Sequence, residues 1–166
     1  MNNNDILIRL RYALDIKNKD MIKIFKLGGL DLTEPELLEI LTRQEEDTPA
    51  DEKLSSHDLE VFLNGFIISQ RGEKRDKDGN VEAPSYMIKN YASINNVALK
   101  KIKIAMSYTT DDILSFLDSA GFRATKGELG AVLRQEGHRN YKICGDQIFR
   151  YFLKGMALEY RSDENK

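Results

Sequence analysis

The residues of this 166-residue chain whose types and spacing could do chemistry are few. Asp76-x-Asp78-x-Asn80 has the alternate oxygen ligands with which a calcium loop opens. Such a loop also needs glycine at its sixth position and a chelating glutamate at its twelfth. Val81 and Met87 stand there, and Gly79 comes two places early, so the segment reads as a solvated turn. His57, in Ser55-Ser56-His57-Asp58, lies beside an expected helix start, and His138 lies in the loop Gly137-His138-Arg139. Neither has a metalloprotease-type partner, so they read as surface or capping residues. Cys144 stands alone between Ile143 and Gly145 without a local basic partner to activate it, and reads as a small core or helix-entry residue. Asp111-Asp112 and Glu45-Glu46 are adjacent pairs, and adjacent residues on a helix do not share a face. Asp20 and Asp112 suit first-turn positions, where acids complement the helix dipole. Gly28-Gly29 has neither a preceding strand nor the lysine-hydroxyl ending of a phosphate loop. No catalytic residue, cofactor site or metal site is assigned, and the chain is not read as an enzyme.

A glycine turn between two short helices has some likeness to helix-turn-helix, but Glu34, Glu36 and Glu39 on the would-be reading helix would repel phosphates. The second half is milder, with Lys126, Glu128 and Arg134 there. Basic residues gather on the first helix of each half, at Arg9, Arg11, Lys100, Lys101 and Lys103. These five form the candidate binding surface; a solvated helix face is the competing reading.

The elements that would position these residues follow from an internal repeat. Sliding the chain by 92 residues aligns 3–41 with 95–133 and gives ten identities, among them Asn3/Asn95, Asn4/Asn96, Gly29/Gly121, Thr33/Thr125 and Glu36/Glu128. Arg9 falls on Lys101 and Arg11 on Lys103. At an offset of 90, Phe62-Leu63-Asn64-Gly65 falls on Phe152-Leu153-Lys154-Gly155 and Arg71 on Arg161. The organisation expected is a first repeat over 1–72, a charged, turn-rich linker over 73–94, a second repeat over 95–161 and a tail over 162–166. Within the linker, Asp78-Gly79 is a candidate hairpin turn.

Each repeat predicts four short helices. The first is expected to start at Asn4 or Asn96 as N-cap, with Leu7, Leu10 and Leu14, or Leu99, Ile102 and Met106, on one face. The second starts near Asn18 and ends at Gly28-Gly29; Gly121 is its later counterpart. The third opens with a capping box, Thr33-x-x-Glu36 or Thr125-x-x-Glu128, and turns Leu37, Leu38 and Leu41 inward. The fourth starts near Ser55 or Ser56, or near Asp146, with Leu59, Phe62, Leu63 and Phe66, or Phe149, Phe152 and Leu153, as its apolar face. Alternation at period two is scarce, so the fold class is all-α: two tandem copies of a four-helix unit, packed together because each alone has a thin core.

The Asn-Asn pairs, Leu27-Gly28-Gly29, Phe62-Leu63-Asn64-Gly65 with Arg71-Gly72, and Phe152-Leu153-Lys154-Gly155 resemble the YehS-like bacterial family. Its members carry a tandem pair of one domain of unknown function. The resemblance covers nearly the whole chain and implies a small cytoplasmic bacterial protein. It supplies no activity, cofactor or catalytic residue. The linker and the acidic stretch near Glu45 are its least family-like parts.

Composition narrows the function further. The chain is 41% hydrophobic and 31% charged, the balance of a globular domain, with a net charge of −2 that shows no global basic field. No apolar run approaches the ~20 residues of a spanning helix, and no signal peptide is read, so the expectation is cytoplasmic with no membrane partner. A lone cysteine suits a reducing compartment. The charge is divided: 1–72 hold 9 basic and 14 acidic side chains, 93–161 hold 11 and 7. The expected function is a non-catalytic protein-interaction module with an unknown protein partner or a second copy of itself. The alternative is a nucleic-acid-associated protein using the basic second repeat.

Overall fold

The computed structural model describes residues 1–45, 48, 49, 51 and 53–161. Among them are eight α-helices: α1 (Asn3–Leu14), α2 (Asn18–Gly28), α3 (Glu34–Ile40), α4 (Ser56–Arg71), α5 (Ile94–Met106), α6 (Thr110–Ser119), α7 (Lys126–Leu133) and α8 (Asp146–Tyr160). A single 3-10 turn, Tyr91–Ser93, leads into α5. The all-α tandem reading holds, with α1–α4 and α5–α8 as the two units.

Local chemistry sets most boundaries. Thr33 and Thr125 each accept the N–H three residues on, while Glu36 and Glu128 reach back to the threonine N–H. Thr109 and Asp112 make a third such box at the start of α6. Gly29 closes α2 with φ 108°, a left-handed conformation that glycine adopts without steric cost.

Two expectations need correction. Asn4 and Asn96 are not N-caps: α1 and α5 begin earlier, and both asparagines are buried inside the first turn. Their side chains reach across the fold instead. Asn96 Nδ2 donates to the Val132 and Lys142 carbonyls and its Oδ1 accepts the Cys144 N–H; Asn4 Nδ2 donates to the Thr42 carbonyl. Asn3 and Asn95 work as a matched pair, donating to the carbonyls of Leu54 and Cys144 just before α4 and α8. The second correction is Leu38, which stays 49% exposed while Leu37 is fully buried, because the stripe that faces the core runs through Leu37, Ile40 and Leu41 and leaves Leu38 outside it.

The packing is exchanged between repeats. The last helix of each repeat lies on the second helix of its own repeat and the first helix of the other: α4 on α2 and α5, α8 on α6 and α1. Phe25, Phe62, Phe66, Phe149 and Phe152 are fully buried, each worth roughly 1.5–3 kcal/mol of transfer energy. They belong to one continuous core, so the repeats form a single body.

The linker is not slack. Arg75 and Val81 form an antiparallel bridge across the Asp76–Asn80 turn, so the hairpin alternative is the one observed. Asp76 Oδ1 accepts the N–H groups of Asp78 and Asn80 at 2.9 Å each, which gives the would-be calcium carboxylate a local structural use.

Candidate functional site

The five basic residues expected to share a surface do not. Lys101 leaves it altogether, at 3% exposure. Its ammonium donates to Glu60 Oε2 at 2.7 Å, Asn64 Oδ1 at 2.6 Å and the Ser85 carbonyl at 2.6 Å. Glu60, equally buried, also accepts the N–H groups of Met87 at 2.6 Å and Ile88 at 2.8 Å. Asn64 Nδ2 returns a bond to the Ser85 carbonyl. Burial pulls the Lys101 ammonium below the usual lysine range, against the opposing pull of Glu60. The physical reason for the correction is topological: α5 turns Lys101 toward α4, so the residue is an internal staple for the linker rather than part of a charged face. A sign of this was in the sequence, since Glu60 lies within the apolar stretch Leu59–Leu63.

The other four are dispersed. Arg11 donates to Asn18 Oδ1 and ties α1 to the start of α2. Lys100 lines a small cleft with Arg134 and Glu136, and Lys103 is half-buried on α5. Arg9 lines a separate cleft between α1 and α8, with Arg43 and Lys154.

The remaining candidates settle as side chains with structural partners. His57 stacks on Tyr86 with ring centres 4.6 Å apart, and His138 Nδ1 accepts the Asn140 N–H. Cys144 is buried, and burial pushes its thiol up to about 12, far from a nucleophile's range. Among the described residues no cluster of three or more histidine, cysteine or carboxylate side chains could hold a metal ion, and no helix is long and apolar enough to cross a membrane.

Three surface cavities of about 500 Å³ or more remain among the described residues, one of them, of about 510 Å³, beside α7 and lined by Thr125, Glu128, Arg134 and Arg139. Another, of about 670 Å³, lies between the ends of α1, α2 and α4 and contains Leu14, Ile16, Asp20, Lys23 and Met106. Its other carboxylate, Asp15, is held below the usual range chiefly by Lys17 and also by Arg161. The third, of about 500 Å³, lies between α2, α4, α5 and the linker hairpin. Leu27, Val81 and Ile104 line it while keeping 47%, 50% and 43% of their surface exposed, and Ile67, Ile68 and Pro84 add to its apolar wall. Sequence reasoning missed this groove, because Val81 and Pro84 belong to a segment read as a linker.

The repeat has a counterpart among known proteins. The family described as "Protein of unknown function (DUF1456)" matches residues 3–72 and again residues 95–162. The chain belongs to the DUF1456 family. The DUF1456 match falls on the two helical repeats and leaves out the linker that carries Ser85 and the hairpin. The chain is 37% identical, over 157 residues and 95% of each protein, to the uncharacterized protein YehS of Escherichia coli (strain K12). No solved structure gives a significant match.

Proposed function

We propose that the protein is a non-catalytic interaction module that works in the cytosol of a bacterium and docks a protein partner in the groove beside the linker hairpin. The observation that supports this is the gathering of Leu27, Val81 and Ile104, half-exposed, around one concave apolar cavity of about 500 Å³. Single exposed apolar residues are ordinary; a rimmed cluster of them marks a binding surface. The staple holds Ser85, at the edge of the groove, and the linker just after it, while the Arg75–Val81 bridge closes the hairpin, which favours a groove formed before any partner arrives. Pre-formed grooves bind with less ordering cost. A partner helix with an apolar face suits this shape, and a second copy of the chain is the other occupant in view.

The nucleic-acid alternative has less support. It relied on the basic first helices, and Lys101 is spent internally. Copurification from lysate at low and high salt, with nuclease, tests both. The expectation is a defined protein retained at high salt by the wild type and lost with Val81→Asp and Ile104→Asp. Retention indifferent to both substitutions, or nucleic acid retained at low salt and lost with Lys100→Glu and Lys103→Glu, would defeat the reading.

A further inference from the structure

The duplication relates the two interfaces between repeats, and their charges differ. In the α4–α5 interface, Lys101 meets Glu60 and Asn64. In the α1–α8 interface the corresponding residues are Arg9 for Lys101, at the offset of 92, and Arg150 for Glu60 and Lys154 for Asn64, at the offset of 90. The one anion of the first set has become a third cation.

The cover differs as well. Over the α4–α5 interface lies the linker segment 85–88, which gives a carbonyl to Lys101 and two N–H groups to Glu60. The α1–α8 interface carries an open cleft of about 340 Å³ in its place. Arg9, Arg43 and Lys154 line that cleft, with the Tyr12 ring at one side and Leu153 and Ala157 among its apolar lining. Arg150 is one helical turn from Lys154 on the same face of α8. Among the described residues, none of the three cations that line the cleft forms an ion pair, while Arg150, outside the lining, helps to hold the Asp146 carboxyl below its usual range. Like charges gathered around a concave, partly apolar surface repel one another, and an anion entering the cleft relieves that repulsion.

We infer that the α1–α8 cleft binds an extended acidic peptide segment of a partner protein, laid across α1 and α8 as the linker is laid across α4 and α5. The peptide's carboxylate takes the place that Glu60 fills in the first interface. Its backbone carbonyl meets Arg9 as that of Ser85 meets Lys101. The α4–α5 pair, related to α1–α8 by the duplication, already holds a segment of backbone, and the apolar lining of the α1–α8 cleft favours a peptide over a bare inorganic anion. This site is separate from the hairpin groove, on different helices and with opposite chemistry, so either can fail alone.

The test uses the full chain and a fluorescent peptide copying residues 82–88 with glutamate in place of Ser85. Its control is the same peptide with glutamine at both acidic positions. Binding is read by fluorescence anisotropy at about 0.15 M ionic strength, where distant charge effects are screened. The expected result is saturable binding of the acidic peptide, at least about tenfold tighter than its control, the scale of one charge-assisted contact. Lys154→Glu and Arg43→Glu, both at exposed positions, should each weaken it by about tenfold with thermal unfolding unchanged. Lys19→Glu, exposed on α2, should leave it intact. Equal affinity for the two peptides, or indifference to Lys154→Glu and Arg43→Glu, overturns the proposal. So does tighter binding of inorganic phosphate or duplex DNA than of the acidic peptide, or a chain dimer that Lys154→Glu dissolves.

Discussion

A methyl group added to Gly65 on α4 would stop 1.9 Å from the carbonyl oxygen of Ile24 on α2, far inside van der Waals contact. The duplicate does the same: a Cβ on Gly155 would fall 2.0 Å from the Phe116 carbonyl on α6. In both repeats a glycine lets the last helix press directly onto the backbone of the second. Gly28 does this from the other side, against the Val61 carbonyl.

Gly65→Ala and Gly155→Ala should therefore each destabilise the fold by about 1–3 kcal/mol or more, because backbone cannot step aside as a side chain can. Gly130→Ala on α7 should do the opposite and stabilise by roughly 0.5–1 kcal/mol, since its Cβ meets nothing and alanine prefers helix. Urea unfolding midpoints of the three variants check the opposed signs.

The buried asparagines are matched in sequence but unequal in bonding. Asn96 makes three hydrogen bonds to backbone, whereas Asn4 makes one and leaves its Oδ1 without a partner. Asn96→Ala strands the Cys144 N–H and two carbonyls, at a cost of about 1–3 kcal/mol for a buried group left unsatisfied. Asn4→Ala strands one carbonyl and should cost clearly less. Paired denaturation curves would show whether Asn96→Ala is the more damaging.

Removing one member of a buried ion pair leaves the other charge uncompensated, which typically costs about 3–5 kcal/mol. Lys101→Met should be destabilising on that scale, and adding Glu60→Gln should recover part of the loss. Amide exchange at Met87 and Ile88 should accelerate in Glu60→Gln, because both N–H groups end on that carboxylate. Unchanged exchange there would mean the linker is held by something else.

The Cys144 thiol, raised by burial to about 12, is protonated in the folded state while an unfolded cysteine ionises near 8.5. The unfolded chain thus binds fewer protons above pH ~8.5, and this group's contribution to stability falls as pH rises from there toward 12. Alkylation by iodoacetamide should stay slow at pH 9 in the native protein and become fast in denaturant. Fast native alkylation at that pH would place the thiol at the surface.

Local signals in the sequence reach their physical targets where the partner is close by. The boxes at Thr33 and Thr125 and the glycine stops at Gly29 and Gly121 operate within a few residues, so residue type alone specifies them. The repeat carried the two-unit, all-α organisation, because matched apolar and glycine positions define a packing unit. Spacing could not say which face of α5 meets which helix. Lys101 looked like its solvated neighbours until α4 brought Glu60 to it from 41 residues away. Asn4 and Asn96 looked like caps because their partners, at Thr42, Val132, Lys142 and Cys144, are distant in the chain.

Residue type and spacing specified the helices, most of their ends and the doubling of the unit, since these depend on short-range hydrogen bonding and period, but not the starts of α1 and α5. The assembled helices settled the rest: each last helix packs on the second helix of its own repeat and the first helix of the other, one of these interfaces holds a buried ion pair under the linker, and its duplicate is an open basic cleft. Those outcomes depend on which charges meet across helices, and a charge buried opposite its counter-ion is written in the same letters as a charge facing water.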